Sequence, residues 1–123
     1  LGEGEPVLIF PEGSRSYDGR LQPFRDGARL IIRRARCPVV PIAIEGAFET
    51  WPRTRTLPRL FGCRVAIEYG EPVSPERARE DDGNELLERT IDEMRLRLRA
   101  EMRRRTMGRF PPPSEADRAL HEG

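Results

Sequence analysis

With 123 residues the chain is long enough for one modest core, and its 37% hydrophobic and 35% charged residues mean that much of it is solvated helix or tail. The net charge is only +1, yet all 22 basic residues are arginine, which excludes Schiff-base and lysine general-base chemistry and leaves any phosphate contact to arginine, backbone N–H groups or hydroxyls. Cys37, Cys63 and the single His121 lack zinc-type spacing, and the longest apolar run, VVPIAI at 39–44, is far too short to span a bilayer.

In chain order, VLIF at 7–10 is too short for a helix and is stopped by Pro11. It reads as a strand apolar on both faces, in a sheet covered by helices. Asp18-Gly19 signals a turn, and Asp26 is placed to cap a helix running to about Arg36, with Leu30, Ile31 and Ile32 packed on the sheet. Residues 39–44 read as a second buried strand, which Pro41 demotes toward an edge or a bulge. The proline-broken stretch AFETWPRTRTLPRLFG at 47–62 has no period and predicts a long connection. CRVAIEY at 63–69 is a third strand. Cys37 and Cys63 are expected to be buried thiols of a reducing compartment.

From Ser74-Pro75 onward the pattern is helical, with Leu87, Ile91, Met94, Leu98 and Met102 on one face. Acids dominate its first part and arginines its last, an order that suits the helix dipole and points to a structural charge block. Gly108 and the Pro111-Pro112-Pro113 run predict the helix end and a poorly ordered tail at 109–123. The division expected is thus 1–73, 74–108 and 109–123.

The cluster PEGSRS at 11–16 leaves a strand end with a glycine for close approach, hydroxyls, exposed N–H groups and a guanidinium that can fork onto a phosphate. Taken alone, a Pro-Glu-Gly turn ends many strands without any such role. The ordered series FPEGSRS, DGRLQPFRDGA, CPVVPIAIEG and IEYGEPV, however, closely resembles the lysophospholipid acyltransferase family over residues 1–73. That family's best-known members are 1-acylglycerol-3-phosphate acyltransferases, which make phosphatidic acid.

The resemblance implies an α/β fold, a partial glycerolipid acyltransferase-like fold with a mixed sheet covered by helices and an added C-terminal amphipathic helix. It implies acyl transfer from a thioester, on coenzyme A or acyl-carrier protein, to a lysophosphatidate-like acceptor, with no further cofactor or metal. Peripheral contact with the cytoplasmic face of a membrane follows in the same way. Glu12, Gly13, Ser14, Arg15 and Ser16 match the family's third block, which helps bind the acceptor phosphate. Pro41 and Gly46 fall in the fourth, associated with shaping the substrate pocket.

The family's His-x-x-x-x-Asp block, which supplies the general base, does not occur in these residues, and neither does its second block. His121, in the polar tail, reads as an ordinary solvent-facing side chain. The chain is therefore expected to be the C-terminal part of an acyltransferase, inactive by itself; the alternative is a non-catalytic phosphate- or phospholipid-binding remnant. Two local readings stay open: Glu12 as site residue or as brace of the turn, and Trp51, Leu57, Leu60 and Phe61 as membrane contact or packing loop. Arg20, Arg25 and Arg29 are read as a solvated rim. Nucleic-acid binding ranks last, because the arginine-rich half of the helix has an acidic half beside it and no interleaved aromatics.

Overall fold

A computed structural model describes residues 4–13, 18–51, 56–57, 61 and 63–120. Helix α1 is Asp26–Arg34, with Asp26 in its first turn and Arg33 and Arg34 in its last, the arrangement that the helix dipole favours. Arg25, rather than Asp26, holds the N-cap position, and no side chain caps it. Of the three apolar residues expected on the sheet, Ile32 is buried whereas Leu30 and Ile31 remain about half exposed.

Strand β1, Ile42–Glu45, pairs antiparallel with β2, Ala66–Tyr69, in a register that sets Ile44 opposite Ile67. The sheet expected as mixed is, among the described residues, two-stranded and antiparallel. Val39 and Val73 form a separate bridge through reciprocal N–H···O bonds of 2.8 and 2.7 Å. Pro41, which has no N–H to donate, separates bridge from ladder, and its carbonyl accepts from the Gly70 N–H at 2.8 Å. The strand read over 39–44 is thus divided where the proline falls.

Residues 7–10 correct the sequence reading more strongly. They lie outside any ladder among the described residues, and Phe10 is 68% exposed with Val7 and Leu8 similarly open. An apolar run marks a segment that gains by burial, but strand structure also needs neighbouring backbone to pair with. Ile9 alone of this run packs against the core of Phe24, Ile32, Ala78 and Leu87.

The helix expected over 74–108 is two helices, α3 at Pro75–Ala78 and α4 at Gly83–Arg105. Ser74 caps α3 by accepting from the Arg77 N–H at 3.2 Å. The Arg77 guanidinium bridges Asp82 at 2.7 Å across the intervening turn. Gly83 allows that turn, since a Cβ there would stand 2.1 Å from the Ala78 carbonyl oxygen. Helix α4 packs on the sheet with Leu87, Met94 and Met102 buried on the face that the spacing identified.

The tail also departs from expectation. Helix α4 closes with the Gly108 N–H donating to the Arg103 carbonyl at 2.7 Å, after which residues 109–120 fold back along it. Phe110, Pro111 and Ala116 are buried. A 3₁₀ turn at Glu115–Asp117 carries a capping box in which Ser114 Oγ accepts from the Ala116 N–H and Asp117 accepts from the Ser114 N–H. Arginine donors from α4 pair the carbonyls of this segment, which explains how so proline-rich a stretch is held without regular structure.

Candidate functional site

The Pro-Glu-Gly turn is fastened at each residue. The Gly13 N–H donates to the Phe10 carbonyl at 3.0 Å, and Gly13 sits at φ +76°, a conformation that favours glycine. The Arg25 N–H donates to the Pro11 carbonyl at 2.7 Å, and Arg25 Nε to the Glu12 carbonyl at 3.0 Å. Glu12 accepts the Gln22 N–H at 2.8 Å through its carboxylate. Burial pushes the Glu12 carboxyl above its ordinary range, opposed by that N–H bond and by the charge of Arg95. These contacts make Glu12 the brace of the turn, stitching it to the segment that leads into α1.

Ser14, Arg15 and Ser16 lie outside the described residues. The chain beyond them is anchored: Asp18 Oδ1 accepts from the Arg20 N–H at 3.0 Å, and Gly19 sits at φ +81° against Phe48 and Ala116, where a Cβ would come within 2.8 Å of both.

An open, mostly apolar cavity of about 710 Å³ lies between residues 4–11, α1 and the start of β1. Pro11 and Pro41 both line it, with Val7, Leu8, Ile31 and Val40, whereas Glu12 and Gly13 do not. Gly46 stands elsewhere, at the N-cap of helix α2, Ala47–Thr50. It has φ +91°, and a Cβ there would be 1.8 Å from the Arg64 carbonyl oxygen. Close backbone approach therefore accounts for that glycine.

Cys37 and Cys63 are half-buried free thiols rather than core residues. Arg20, Arg25 and Arg29, read as a solvated rim, are each engaged: Arg20 with the Ala119 carbonyl at 2.6 Å, Arg25 with Glu12, and Arg29 with Glu85 at 3.0 Å. Of the open loop reading, Trp51, Leu57 and Phe61 are exposed, and Leu60 falls outside the described residues.

The sequence reading missed a buried charge network directly behind the fourth block. Glu45 and Glu49 both accept from Arg99 Nη1, at 3.0 and 2.5 Å, and Arg95 lies 3.7 Å from Glu45. Burial raises the Glu45 carboxyl above its ordinary range against the opposing effect of Arg99. The available signal was the four-residue spacing of Arg95, Arg99 and Arg103, which puts three guanidiniums on one helix face.

The fastened Pro-Glu-Gly turn and the apolar groove beside it stand on a partial α/β scaffold of the glycerolipid acyltransferase kind. The Acyltransferase family model matches residues 1–45. The chain belongs to the lysophospholipid acyltransferase family, of which it carries a part. It is 34% identical over 82 residues to a 1-acyl-sn-glycerol-3-phosphate acyltransferase of Cocos nucifera, covering 67% of this chain and 26% of the relative. Against the alpha form of that enzyme from Ovis aries it is 30% identical over 88 residues, covering 72% of this chain and 30% of the relative. The crystal structure of the 1-acyl-sn-glycerophosphate (LPA) acyltransferase PlsC from Thermotoga maritima superposes with a TM-score of 0.62 at 26% identity, covering 75% of this chain and 38% of that one. The chain thus spans less than a third of the length of these two curated relatives.

Proposed function

We propose that this chain supplies the acceptor-phosphate part of an acyltransferase that moves a fatty acyl group from acyl-CoA or acyl-carrier protein to 1-acylglycerol-3-phosphate or a close lysophospholipid. The observation that carries this reading is the Acyltransferase family match over residues 1–45, which include the PEGSRS turn, beside the similarity to relatives named 1-acyl-sn-glycerol-3-phosphate acyltransferases. In the reaction the acceptor hydroxyl loses its proton to a general base, its oxygen forms the new ester bond, and the thioester C–S bond breaks to release a thiol. Arg15, with Ser14, Ser16 and the Gly13 backbone, contacts the acceptor phosphate, while Glu12 fixes the turn that presents them.

Pro41 shapes the groove, and Gly46 sets the turn behind it. Residues 1–73 form the acyltransferase part. The His-x-x-x-x-Asp base is outside this chain, so the chain alone binds but does not turn over. Peripheral contact with the cytoplasmic face of a membrane completes the reading; no helix among the described residues is long and apolar enough to cross one.

Two measurements on the isolated chain test the reading. Thiol release from acyl-CoA with lysophosphatidate stays at the no-protein level, and lysophosphatidate, below its micellar concentration, binds at least about tenfold more tightly than the uncharged monoacylglycerol, as a charge-assisted phosphate contact requires. Thiol release above background contradicts the assignment of the base to another segment. Equal affinity for the two lipids contradicts phosphate recognition.

A further inference from the structure

Arg99 is the largest fully buried side chain described, at 1% exposure, and it satisfies all of its donors on two different parts of the fold. Two of its contacts, Nη1 to Glu45 and to Glu49, reach the end of β1 and helix α2. The other three reach the tail: Nε to Asp117 at 2.9 Å, and Nη2 to the Pro112 carbonyl and to Ser114 Oγ, each at 3.2 Å. Its helical neighbours hold the same segment. Arg95 donates to the Ala116 and Arg118 carbonyls at 2.6 and 2.5 Å, Arg103 to the Pro111 carbonyl at 2.7 Å, and Asp92 accepts the Leu120 N–H at 2.7 Å.

We propose that residues 109–120 are a strap that, through Arg99, sets the conformation of the β1–α2 turn at 45–50. A guanidinium this buried cannot remain with most of its donors unsatisfied. If the strap lifts, Arg99 loses Asp117, Ser114 Oγ and the Pro112 carbonyl together and turns toward water, abandoning Glu45 and Glu49. Two buried carboxylates are then left side by side without their shared cation, and the turn that carries them opens. Arg95, 3.7 Å from Glu45, is unseated by the same event, because two of its donors rest on the strap carbonyls of Ala116 and Arg118 and only Nε stays on Asp92. The strap is thereby a handle on the turn around Gly46 from the opposite end of the sequence. The inference concerns folding geometry and stands whether or not the acyltransferase reading holds.

Hydrogen exchange on the full chain tests it. The Thr50 and Trp51 amides, bonded to the Gly46 and Ala47 carbonyls, report the turn; the Ala35 amide, bonded to Ile31, reports α1; and the Asp117 and Arg118 amides report the strap. Asp117→Asn, and separately truncation after Gly108, speed exchange at Thr50 and Trp51 by about fivefold or more while Ala35 is unchanged, a coupling of ordinary size. Because coupling is reciprocal, Glu49→Gln speeds exchange at Asp117 and Arg118. Should truncation unfold α1 as well, Asp117→Asn decides, since it leaves Phe110 and Pro111 in place. Unchanged exchange at Thr50 and Trp51 in Asp117→Asn, or at Asp117 and Arg118 in Glu49→Gln, overturns the proposal.

Discussion

At the scale of single residues, Glu12 and Asp117 pull the pH dependence of stability in opposite directions. Glu12, raised above its ordinary 4.5 by burial, holds its proton more tightly folded than unfolded, so its contribution to stability falls as pH climbs from 4.5 through the raised value. Burial would raise Asp117 too, but its bonds from Arg99, Ser114 and Arg103 outweigh burial and hold it below 3.8. Its contribution is present above that ordinary value and is lost as pH falls through the lowered one. Glu12→Gln keeps an acceptor for the Gln22 N–H while removing the titration, so the decline in melting temperature above pH 4.5 should become shallower. Glu45 titrates with the same sign, so the limb shrinks rather than disappears. Melting temperatures of both proteins in a pH series decide the point, and an unchanged slope would remove Glu12 as a source.

Among the elements, the sheet is the least complete. Helix α4 covers the face of Ala43 and Glu45, whereas Ile44, Ile67 and Tyr69 stand on the other face, Tyr69 at 71% exposure. With Val7, Leu8 and Phe10 also open, the chain carries an apolar surface that favours association. Sedimentation velocity should show mass rising with concentration, and Ile67→Thr, which keeps a β-branched side chain, should weaken that rise with little change in melting temperature. A monodisperse monomer at every concentration, with a sharp cooperative melt, would count against it.

The same elements show what could be read from sequence. The face of Leu87, Met94 and Met102 was legible because helical spacing is local. The break between α3 and α4 is signalled by Asp81-Asp82-Gly83, and the apolar period that identifies the helix begins only after it, at Leu87. The VLIF run announces a need for burial and cannot announce that no strand pairs with it among the described residues. Arg95 and Arg99 read as part of a dipole-matched block because hydropathy sends charge to solvent; their burial depends on Glu45 and Glu49, some fifty residues away. The ordered tail is hidden for the same reason, since its Pro111, Pro112, Ala116 and Arg118 carbonyls find their donors on α4.

For the whole molecule, the central claim is that the Pro-Glu-Gly turn exists to hold Arg15 where an acceptor phosphate docks. A positioned guanidinium loses little freedom on binding, and a charge-assisted contact is worth about 1.5–3 kcal/mol. The direct measurement is Arg15→Ala in a complete acyltransferase that contains residues 1–73 together with a His-x-x-x-x-Asp block. The KM for lysophosphatidate should rise by about tenfold or more, with the acyl-donor KM nearly unmoved, and Arg15→Lys should restore part of the loss because it keeps the charge without the planar fork. Unchanged acceptor kinetics with a lowered melting temperature would make Arg15 a structural brace and contradict the account.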